Sequence, residues 1–454
     1  MATIPYLFQR EDASAIERFG GRCLLANEMG TGKSLITLLY AKRNPDLRPM
    51  IIVCPASLKW NWQTEAARHF NMLSEVVEGT RPPKKGLVNP HPIIIINYDI
   101  LYAWLPWLKK LRPKLVVGDE IHFVKDRNSR RGKSLFELCR DVPCVLGLSG
   151  TPLTNRPAEL WFPLHVIKPE LYPSWWQFAQ AYCSPKLKPW GWDFSGASNT
   201  EELHDRLLRD CMIRRLKRDV LSQLPAKQRS VLPLPIEDRK QYKKAETDFI
   251  GWLSETSLTL AKRAAKAEKL TRMGHLKRLA GRLKLKYVIE WVDNFFDGND
   301  EKLVLFAVHK TVISTLTERY AKQCVVVDGS IVGRNRQLAV DKFQTDPKTR
   351  LFIGNIKAAG VGLNLVAASS VAFAELDWVP GNHIQAEDRC HRIGSTEQVS
   401  VHYLVGKDTI EEKLCQVIQA KAAILDSVLD GGENNNTMNI YDDLCNQMLK
   451  EKTK

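Results

Sequence analysis

Two adjacent carboxylates directly follow an apolar run in VVGDEIHF, residues 116–123. Asp119 and Glu120 are the acids, and His122 comes two residues after Glu120. A buried strand that ends on two acids would place them at the edge of a sheet, where they can hold a divalent cation and an attacking water. The alternative is a loop that turns into solvent. A phosphate-binding element elsewhere in the chain would favour the first interpretation.

Such an element is predicted in LLANEMGTGKSLITLL, residues 24–39, whose order indicates a strand, a tight loop and a helix. Backbone N–H groups of the loop and of the helix N-terminus would hold the phosphates of ATP. Lys33 would reach the β- and γ-phosphates, and Ser34 would ligate Mg²⁺. The general pattern has a glycine five residues before Gly32, where this chain has Asn27. The predicted nucleotide contacts of the loop are Met29, Gly30, Thr31, Gly32, Lys33 and Ser34.

The phosphate loop gives the two acids a function. Asp119 is predicted to hold Mg²⁺, through water, and Glu120 to act as the base or to orient the attacking water. His122 is interpreted as a coupling residue, because an isolated histidine is weak evidence for a metal ligand. An ordinary glycine turn before a helix remains the alternative for the loop taken alone.

Short apolar runs alternate with stretches of helical pattern near both ends of the chain. Continuous apolar runs bounded by turn residues are typical of strands buried on both faces, and alternation with helices favours parallel α/β sheets. We therefore predict an α/β protein with two lobes. The runs are 23–27, 50–55, 92–98, 114–120 and 144–150 in the first lobe, and 302–308, 324–329, 351–356, 371–376 and 399–405 in the second.

Composition limits the class of protein. The chain has 454 residues and a formal net charge of +15, which favours a polyanionic partner, nucleic acid first. It contains neither an apolar run of about 18 residues nor an N-terminal secretory pattern, so we predict an intracellular protein that does not bind membranes. The ten cysteines form no CxxC pair, which argues against a zinc site or a disulfide framework.

Two further motifs could complete a nucleotide site. SGTP, residues 149–152, follows an apolar run and could link the nucleotide to nucleic acid, although a turn or helix cap is the simpler interpretation. QAEDRCHRIG, residues 385–394, carries Arg389 and Arg392 one helical turn apart. Both could face a cleft and stabilise γ-phosphate charge, whereas a solvated helix face is the alternative.

The order GTGKS, CPASLKWNW, GDEIH, SGTP, AAGVGLNL, QAEDRCHRIG resembles the motor core of superfamily-two helicases. More narrowly it is similar to the Swi/Snf-related ATPases, which translocate on double-stranded DNA. Three longer strings, at 154–161, 189–203 and 213–227, resemble the HepA-related annealing-helicase branch. The resemblance runs from about residue 4 to about residue 425.

The resemblance implies two RecA-like parallel-sheet lobes with helical Swi/Snf-type insertions. Because its motifs start almost at the first residue, we expect no accessory module before the motor. The expected segments are lobe 1 at 1–160 with the phosphate loop and DEIH box, its helical insertion at 161–229, a linker at 230–240, a basic helical insertion of lobe 2 at 241–290, lobe 2 at 291–430 with the arginines, and a tail at 431–454.

Further residue roles follow from the resemblance. Gln9 would bind the adenine edge, while Gly360 and Gly362 would let the backbone approach nucleotide or DNA phosphate. Gln385, Arg389 and Arg392 would close the site from the second lobe. The chain departs from the family pattern at three places: Asn27 replaces an acid, NIKAAGVGLN lacks a Ser or Thr at its start, and Ser395 replaces a common glutamine.

The predicted function is an ATP-dependent double-stranded DNA translocase that remodels or rewinds DNA, with ATP and Mg²⁺ as cofactors. Its partner would be duplex or forked DNA bound through phosphates without sequence specificity, and we expect a monomer. A strand-separating DNA or RNA helicase is a second interpretation that the DEIH box permits. A non-catalytic nucleic-acid-binding scaffold is a third, and the combination of Lys33, Asp119, Glu120, Arg389 and Arg392 argues against it.

Other candidate DNA contacts are basic or aromatic. Trp60 and Trp62 follow a predicted strand end, although at least one is expected to pack beneath the lobe, and Trp190 and Trp192 fit core or surface equally well. A basic stretch fits a DNA-facing helix or a solvated helix face about equally. Its cations are Lys262, Arg263, Lys266, Lys269, Arg272, Lys277, Arg278, Arg282, Lys284 and Lys286.

Overall fold

The computed structural model describes residues 4–82, 91–152, 156–189, 191–221, 223–224, 227–246, 273–331, 333–359, 363–393, 395, 397–416 and 418. These residues divide into two compact units, one up to residue 221 and one from residue 223 onward. Each unit has its own parallel sheet and its own hydrophobic core. The predicted α/β fold with two parallel-sheet lobes is thereby confirmed. Among the described helices, none combines the length and the apolar character that crossing a membrane requires.

The first unit is built on a seven-stranded sheet whose neighbouring strands are all parallel. Its strand order is β3-β4-β2-β5-β6-β1-β9. Strands such as β2, with the sequence MIIVC, and β4, with the sequence IIIIN, are rich in Ile and Val and are buried on both faces, as parallel strands covered by helices require. The strands are β1 (Arg22–Leu25), β2 (Met50–Cys54), β3 (Ser74–Val76), β4 (Ile93–Asn97), β5 (Leu115–Asp119), β6 (Cys144–Leu148) and β9 (Met212–Ile213).

The helices of this unit pack their apolar faces onto the sheet. Ser129 and Ser174 begin two of them as N-caps, since each side chain accepts a bond from a backbone N–H three residues later. The helices are α1 (Leu7–Arg18), α2 (Lys33–Arg43), α3 (Lys59–Phe70), α4 (Leu101–Lys110), α5 (Arg130–Cys139), α6 (Trp161–Ile167), α7 (Trp175–Tyr182), α8 (Thr200–Asp210) and α9 (Lys217–Val220).

The segment 161–229 was expected to be a helical insertion, and the structure corrects this in part. It also contains a two-stranded antiparallel hairpin of β7 (Lys186–Lys188) and β8 (Gly191–Asp193). Strand β9 joins the main sheet beside β1, with Leu24 opposite Met212. Residues 211–220 therefore belong to the body of the first unit, next to the loop that follows β1.

The second unit has a six-stranded sheet, also parallel throughout, in the order β10-β15-β14-β11-β13-β12. Its strands are β10 (Gln228–Leu234), β11 (Leu303–Ala307), β12 (Cys324–Val327), β13 (Leu351–Asn355), β14 (Ser370–Phe373) and β15 (Ser400–Gly406). Its helices are α10 (Leu285–Gly298), α11 (Lys310–Arg319), α12 (Gly333–Thr345), α13 (Ile356–Ala359) and α14 (Pro380–Glu387), with further helical residues at 239–246, 273–283 and 410–416.

The prediction of a linker at 230–240 is wrong for residues 230–234. Residues 228–234 form the edge strand β10, which pairs with β15 over its whole length. An extended segment that contains Pro233 is compatible with an edge strand, because the missing N–H can face away from the neighbouring strand. The first strand of the second sheet, β10, therefore begins only a few residues after the start of the second unit.

The basic stretch has a buried side as well as an exposed one. Lys277 and Lys284 are 2% and 0% exposed. Lys277 lies over the Trp378 ring at 5.1 Å, and Lys284 donates to Glu411 at 2.5 Å. Neither proposed role, DNA contact or solvated face, applies to these two lysines. Arg278, Arg282 and Lys286 are exposed at a spacing of four residues, and residues 262–272 lie outside the described part of the chain.

Candidate nucleotide site

The loop between β1 and α2 encloses the side chain of Lys33. Gly30 and Gly32 have φ angles of 83° and 87°, in the left-handed region that residues with a Cβ rarely adopt. The Nζ atom of Lys33 donates to the carbonyls of Asn27 at 2.9 Å and of Glu28 at 3.3 Å. The ammonium therefore lies within the loop, on carbonyl partners that phosphate oxygens can replace.

The charge of Lys33 is incompletely compensated. Burial lowers its pKa to about 8, while the carboxyls of Glu120 and Asp119 act in the opposite direction. An anionic ligand next to this half-buried ammonium would stabilise its charged form. This feature fits a polyphosphate.

Asp119 ends β5, on the sheet edge where the loop after β1 also begins. Trp62 Nε1 donates to its Oδ2 at 2.8 Å, and the backbone N–H of Glu120 donates to Oδ1 at 3.0 Å. Burial raises the pKa of Asp119 to about 7, with a further contribution from Glu120, and the Trp62 bond opposes the shift. A bound cation would favour the ionised carboxylate. The fully buried Trp62 thus contacts the predicted metal ligand, whereas Trp60 is 46% exposed.

The side chain of Glu120 contacts Ser149, the residue that follows strand β6, and His122 contacts the same serine. Glu120 has a φ of 51° and is 5% exposed. Ser149 Oγ lies 3.4 Å from Glu120 Oε2, and His122 Nδ1 lies 3.2 Å from the same Oγ. Burial lowers the pKa of His122, which favours the neutral ring. A neutral ring protonated on Nδ1 can donate to Ser149 while Ser149 donates to Glu120. This geometry gives His122 the coupling position expected from the sequence, between the DEIH and SGTP segments.

Gln9 packs directly on the phosphate loop. Its Nε2 donates to the carbonyl of Thr31 at 2.9 Å, and its Oε1 accepts from the backbone N–H of Tyr6 at 2.9 Å. A Cβ on Gly32 would lie 2.5 Å from Gln9 Nε2, so this contact requires glycine. Both polar groups of Gln9 are bonded within the protein here, and its role at the adenine edge stays a prediction.

A buried hydrogen-bonded cluster behind the loop was not predicted from the sequence. Asn27 Nδ2 donates to Asp12 Oδ2 at 2.6 Å, and Arg215 Nε donates to Asp12 Oδ1 at 3.0 Å. Asp12 and Asn27 are both 0% exposed. The cluster explains the amide at position 27, since an acid there would place two buried carboxylates in contact. It connects α1, the phosphate loop and the segment after β9.

Arg214 connects the same loop to SGTP. Its Nη1 donates to the carbonyl of Ala26 at 2.7 Å and lies 3.4 Å from that of Gly150. A Cβ on Gly150 would lie 2.3 Å from Met29 Sδ and 3.2 Å from Lys33 Nζ. The glycine of SGTP is therefore needed so that its backbone can approach the loop.

In the second unit, Arg389 and Arg392 converge on one backbone carbonyl. Arg389 Nη1 and Arg392 Nη1 lie 3.5 Å and 3.2 Å from the oxygen of Leu363, and Arg389 Nε donates to Gln385 O at 3.1 Å. The prediction that they occupy successive turns of one helix is wrong, because α14 ends at Glu387. Gly360 and Gly362, predicted to approach a phosphate, lie outside the described residues.

Comparison with protein families decides the relationship. A model described as the SNF2-related domain matches residues 14–285, and one described as the helicase conserved C-terminal domain matches residues 284–394. The chain belongs to the SNF2-related family. The resemblance to Swi/Snf-related ATPases is thereby confirmed.

Several SNF2-related relatives are similar over most of this chain. A Xenopus laevis protein named SWI/SNF-related matrix-associated actin-dependent regulator of chromatin subfamily A-like protein 1 is 35% identical, over 92% of this chain and 43% of its own length. The human protein named DNA annealing helicase and endonuclease ZRANB3 is 32% identical, over 93% and 40%. The chain thus spans less than half the length of these relatives. The Sulfolobus solfataricus SWI2/SNF2 ATPase core in complex with dsDNA aligns with a TM-score of 0.45 and 23% identity, covering 95% of this chain and 96% of that one.

Within this SNF2-related chain, the first unit brings together the residues that the motifs predicted. The loop after β1, the end of β5 and the segment after β6 lie on neighbouring parallel strands, because the strand order there is β5-β6-β1. Sequence reasoning missed Asp12 and Arg214, and it placed Trp62 beneath the lobe without its contact to Asp119. All three act through tertiary contacts. The apolar pair Met212–Ile213 was too short to indicate the strand that brings Arg214 to the loop.

Proposed function

We propose that this protein hydrolyses ATP when stimulated by DNA, with ATP and Mg²⁺ bound at the first unit. The single observation that supports this is the placement of Lys33, Asp119 and Glu120 at the carboxyl ends of β1 and β5 in one parallel sheet. Ligands of open α/β sheets bind at this edge, where the strand ends expose loops and helix N-termini.

The residues present fit an Mg²⁺–nucleotide ligand. Lys33 is a half-buried cation whose Nζ donates to backbone carbonyls of the loop. Ser34 and Asp119 supply the oxygen ligands that Mg²⁺ prefers. The cation, when bound, neutralises charge that develops on the transferred phosphoryl group. Gly30 and Gly32 leave room for the backbone N–H groups of Met29, Thr31 and their neighbours to face phosphate oxygens.

Glu120 is proposed to accept the proton of the attacking water or to orient it. Its buried position raises the strength of each interaction that it makes. Ser149 and His122 fix one carboxylate oxygen, which leaves the other for water. Because Ser149 belongs to SGTP and contacts Glu120, a shift of the SGTP segment would also shift the carboxylate of Glu120.

The second unit is proposed to supply Gln385, Arg389 and Arg392 to the bound nucleotide. Arg389 and Arg392 share a contact with the carbonyl of Leu363, and Arg389 also donates to the carbonyl of Gln385. We propose 1–160 together with strand β9 as the first motor lobe and 291–430 together with strand β10 as the second. Residues 161–210 and 241–290 are proposed as insertions and 431–454 as a tail. Arginines that reach the γ-phosphate from another lobe make hydrolysis depend on lobe closure.

We propose duplex DNA as the track, bound through phosphates, and translocation with remodelling or rewinding of DNA as the outcome. The support is the family, the net charge of +15, and relatives whose names include annealing helicase. Such binding should weaken with a log–log salt slope of about −0.9 per phosphate contacted.

The test measures ATPase activity with duplex DNA, single strands and RNA, beside triplex-displacement and annealing assays. We expect stimulation mainly by duplex DNA. Lys33→Ala should lose nucleotide binding, while Arg392→Ala should keep binding and lose hydrolysis. Lys42→Ala, an exposed lysine on the same helix α2, is the matched control. If Arg392→Ala hydrolyses ATP at the parent rate, the two-lobe mechanism is wrong; a parent with no ATPase activity at saturating DNA would indicate a binding scaffold instead.

A further inference from the structure

The β7–β8 hairpin exposes an apolar face. Leu187 and Trp192 are register partners on the two strands, so they lie side by side on one face. They are 71% and 50% exposed. The other face carries Lys186 opposite Asp193. A hairpin of this size has no core of its own, so large apolar side chains on its open face are unexpected unless they bind something.

Helix α7 extends this face with a second exposed indole. Trp176 is 40% exposed, and its ring lies 5.3 Å from that of Trp192 at an interplanar angle of 74°. Phe194 supports both tryptophans of the helix, at 5.9 Å from Trp176 and 5.5 Å from Trp175. The rings of Trp192, Trp176, Phe194 and Trp175 therefore form a continuous row of contacts.

A cation contacts the inner end of this row, on the side of Trp175. The Arg127 guanidinium lies 5.8 Å from the Trp175 ring centre and 5.9 Å from that of Trp161. Arg127 is exposed, and within the described parts of the chain no carboxylate forms an ion pair with it. Aromatic rings hold the guanidinium but do not neutralise it. We call Arg127, Trp176, Leu187 and Trp192 the aromatic surface.

We propose that the aromatic surface binds unpaired nucleotides of DNA, with a base stacked on Trp192 or Trp176 and a phosphate on Arg127. This deepens the proposed function and rests on it, since it assigns DNA with an unpaired strand, a fork or a frayed end, as the substrate class. Bases inside a duplex have their faces covered by neighbours, so only unpaired bases can stack on an indole.

The size and charge of the surface favour this occupant over a protein. The exposed parts of its apolar side chains amount to roughly a few hundred Å², well below the roughly 800 Å² per partner of a stable protein interface. One base needs only one indole face. The Arg127 guanidinium lies on Trp175, which Phe194 joins to the exposed Trp176. Together with the chain's net charge of +15, this cation matches an anionic partner with aromatic groups.

The test compares the full chain with Trp192→Leu, which keeps an apolar side chain and removes the stacking ring. The probes are a blunt duplex and the same duplex with two unpaired arms, both read by fluorescence anisotropy at one salt concentration. Stacking contributes about 1–3 kcal/mol per base. We expect the parent to prefer the fork, Trp192→Leu to bind the fork about tenfold more weakly and the blunt duplex unchanged, and Trp192→Phe to stay near the parent.

Arg127 provides a second, independent variant. Arg127→Gln should lower the log–log salt slope of fork binding by about 0.7, the value for one single-strand phosphate contact, and Arg127→Lys should retain it. Leu208→Ala, a partly exposed leucine on α8, is the surface control. Thermal melting verifies that each variant is folded.

Three outcomes would overturn the inference: equal parent affinity for both probes, equal loss for fork and duplex in Trp192→Leu, or parent self-association in sedimentation that Trp192→Leu abolishes. The last would assign the surface to a second copy of the chain. Duplex-stimulated ATPase activity of the parent, measured in the same buffer, tests the proposed function separately. An active parent whose variants bind both probes normally refutes the aromatic surface alone.

Discussion

Replacing Glu387 by Gln should destabilise the second unit by about 3 kcal/mol at pH 7. Glu387 is 0% exposed. It accepts bonds from Lys227 at 3.0 Å, Arg229 at 2.6 Å and the Tyr403 hydroxyl at 2.7 Å. Burial alone would raise its pKa, but the two cations and the hydroxyl outweigh burial and lower the pKa from 4.5 to about 2. That difference corresponds to about 3 kcal/mol, within the usual cost of leaving a buried cation without its partner.

The sign of the pH dependence follows from the lowered pKa. The carboxylate of Glu387 contributes its full stability above the unfolded-state value near 4.5, and the contribution is lost as pH falls through about 2. The deficit of Glu387→Gln should therefore be largest at neutral pH and fall to about 2 kcal/mol at pH 3.5.

Urea unfolding at pH 7, 5 and 3.5 measures this deficit. Glu318→Gln on α11 is the matched control, because its carboxylate is exposed and the change should be worth less than about 0.5 kcal/mol. A Glu387→Gln protein as stable as the parent at pH 7 would refute the reasoning, and so would a deficit that grows on acidification.

Two further predictions concern contacts behind the nucleotide site. Trp62→Phe keeps an aromatic ring but removes the donor to Asp119, so the affinity for a fluorescent ATP analogue should fall about tenfold in Mg²⁺; Trp60→Phe is the exposed control, and equal behaviour of the two variants would contradict the role of the bond. Asn27→Asp would press a second carboxylate against Asp12 and raise the pKa of the pair, so its melting temperature should drop further as pH rises from 5.5 to 8. Adding Asp12→Asn should remove that pH dependence, and a deficit independent of pH in Asn27→Asp alone would exclude the explanation.

The phosphate loop and the acid pair could be predicted because each is local in sequence. A strand, a glycine turn and a helix follow one another within residues 24–39, and Asp119 directly ends an apolar run. The carboxyl ends of parallel strands lie at one edge of the sheet. The loops that follow these strands are therefore close together in any sheet of consecutive α/β units. The SGTP segment is local in the same way, because it directly follows an apolar run.

The contacts that hold these residues were not predictable, because their partners lie far away in sequence. Arg215 lies 203 positions from Asp12, and only the pairing of the two-residue strand β9 with β1 brings it there. The same holds for β10, whose sequence fits a linker or a strand equally well. Only its pairing with β15 identifies it as a strand.

The sequence by itself determined the two parallel-sheet lobes, the family, and the identity of the groups at the phosphate loop, since buried apolar runs and short glycine motifs express local preferences. Only the tertiary structure determined which side chains of a helix face the core. It buried Lys277 and Lys284 while leaving Arg278 and Arg282 in solvent, and it turned Trp62 onto Asp119 while leaving Trp60 exposed. The local sequence is compatible with a charged or indole side chain on either face of a helix. The elements that pack against the helix determine which face is buried.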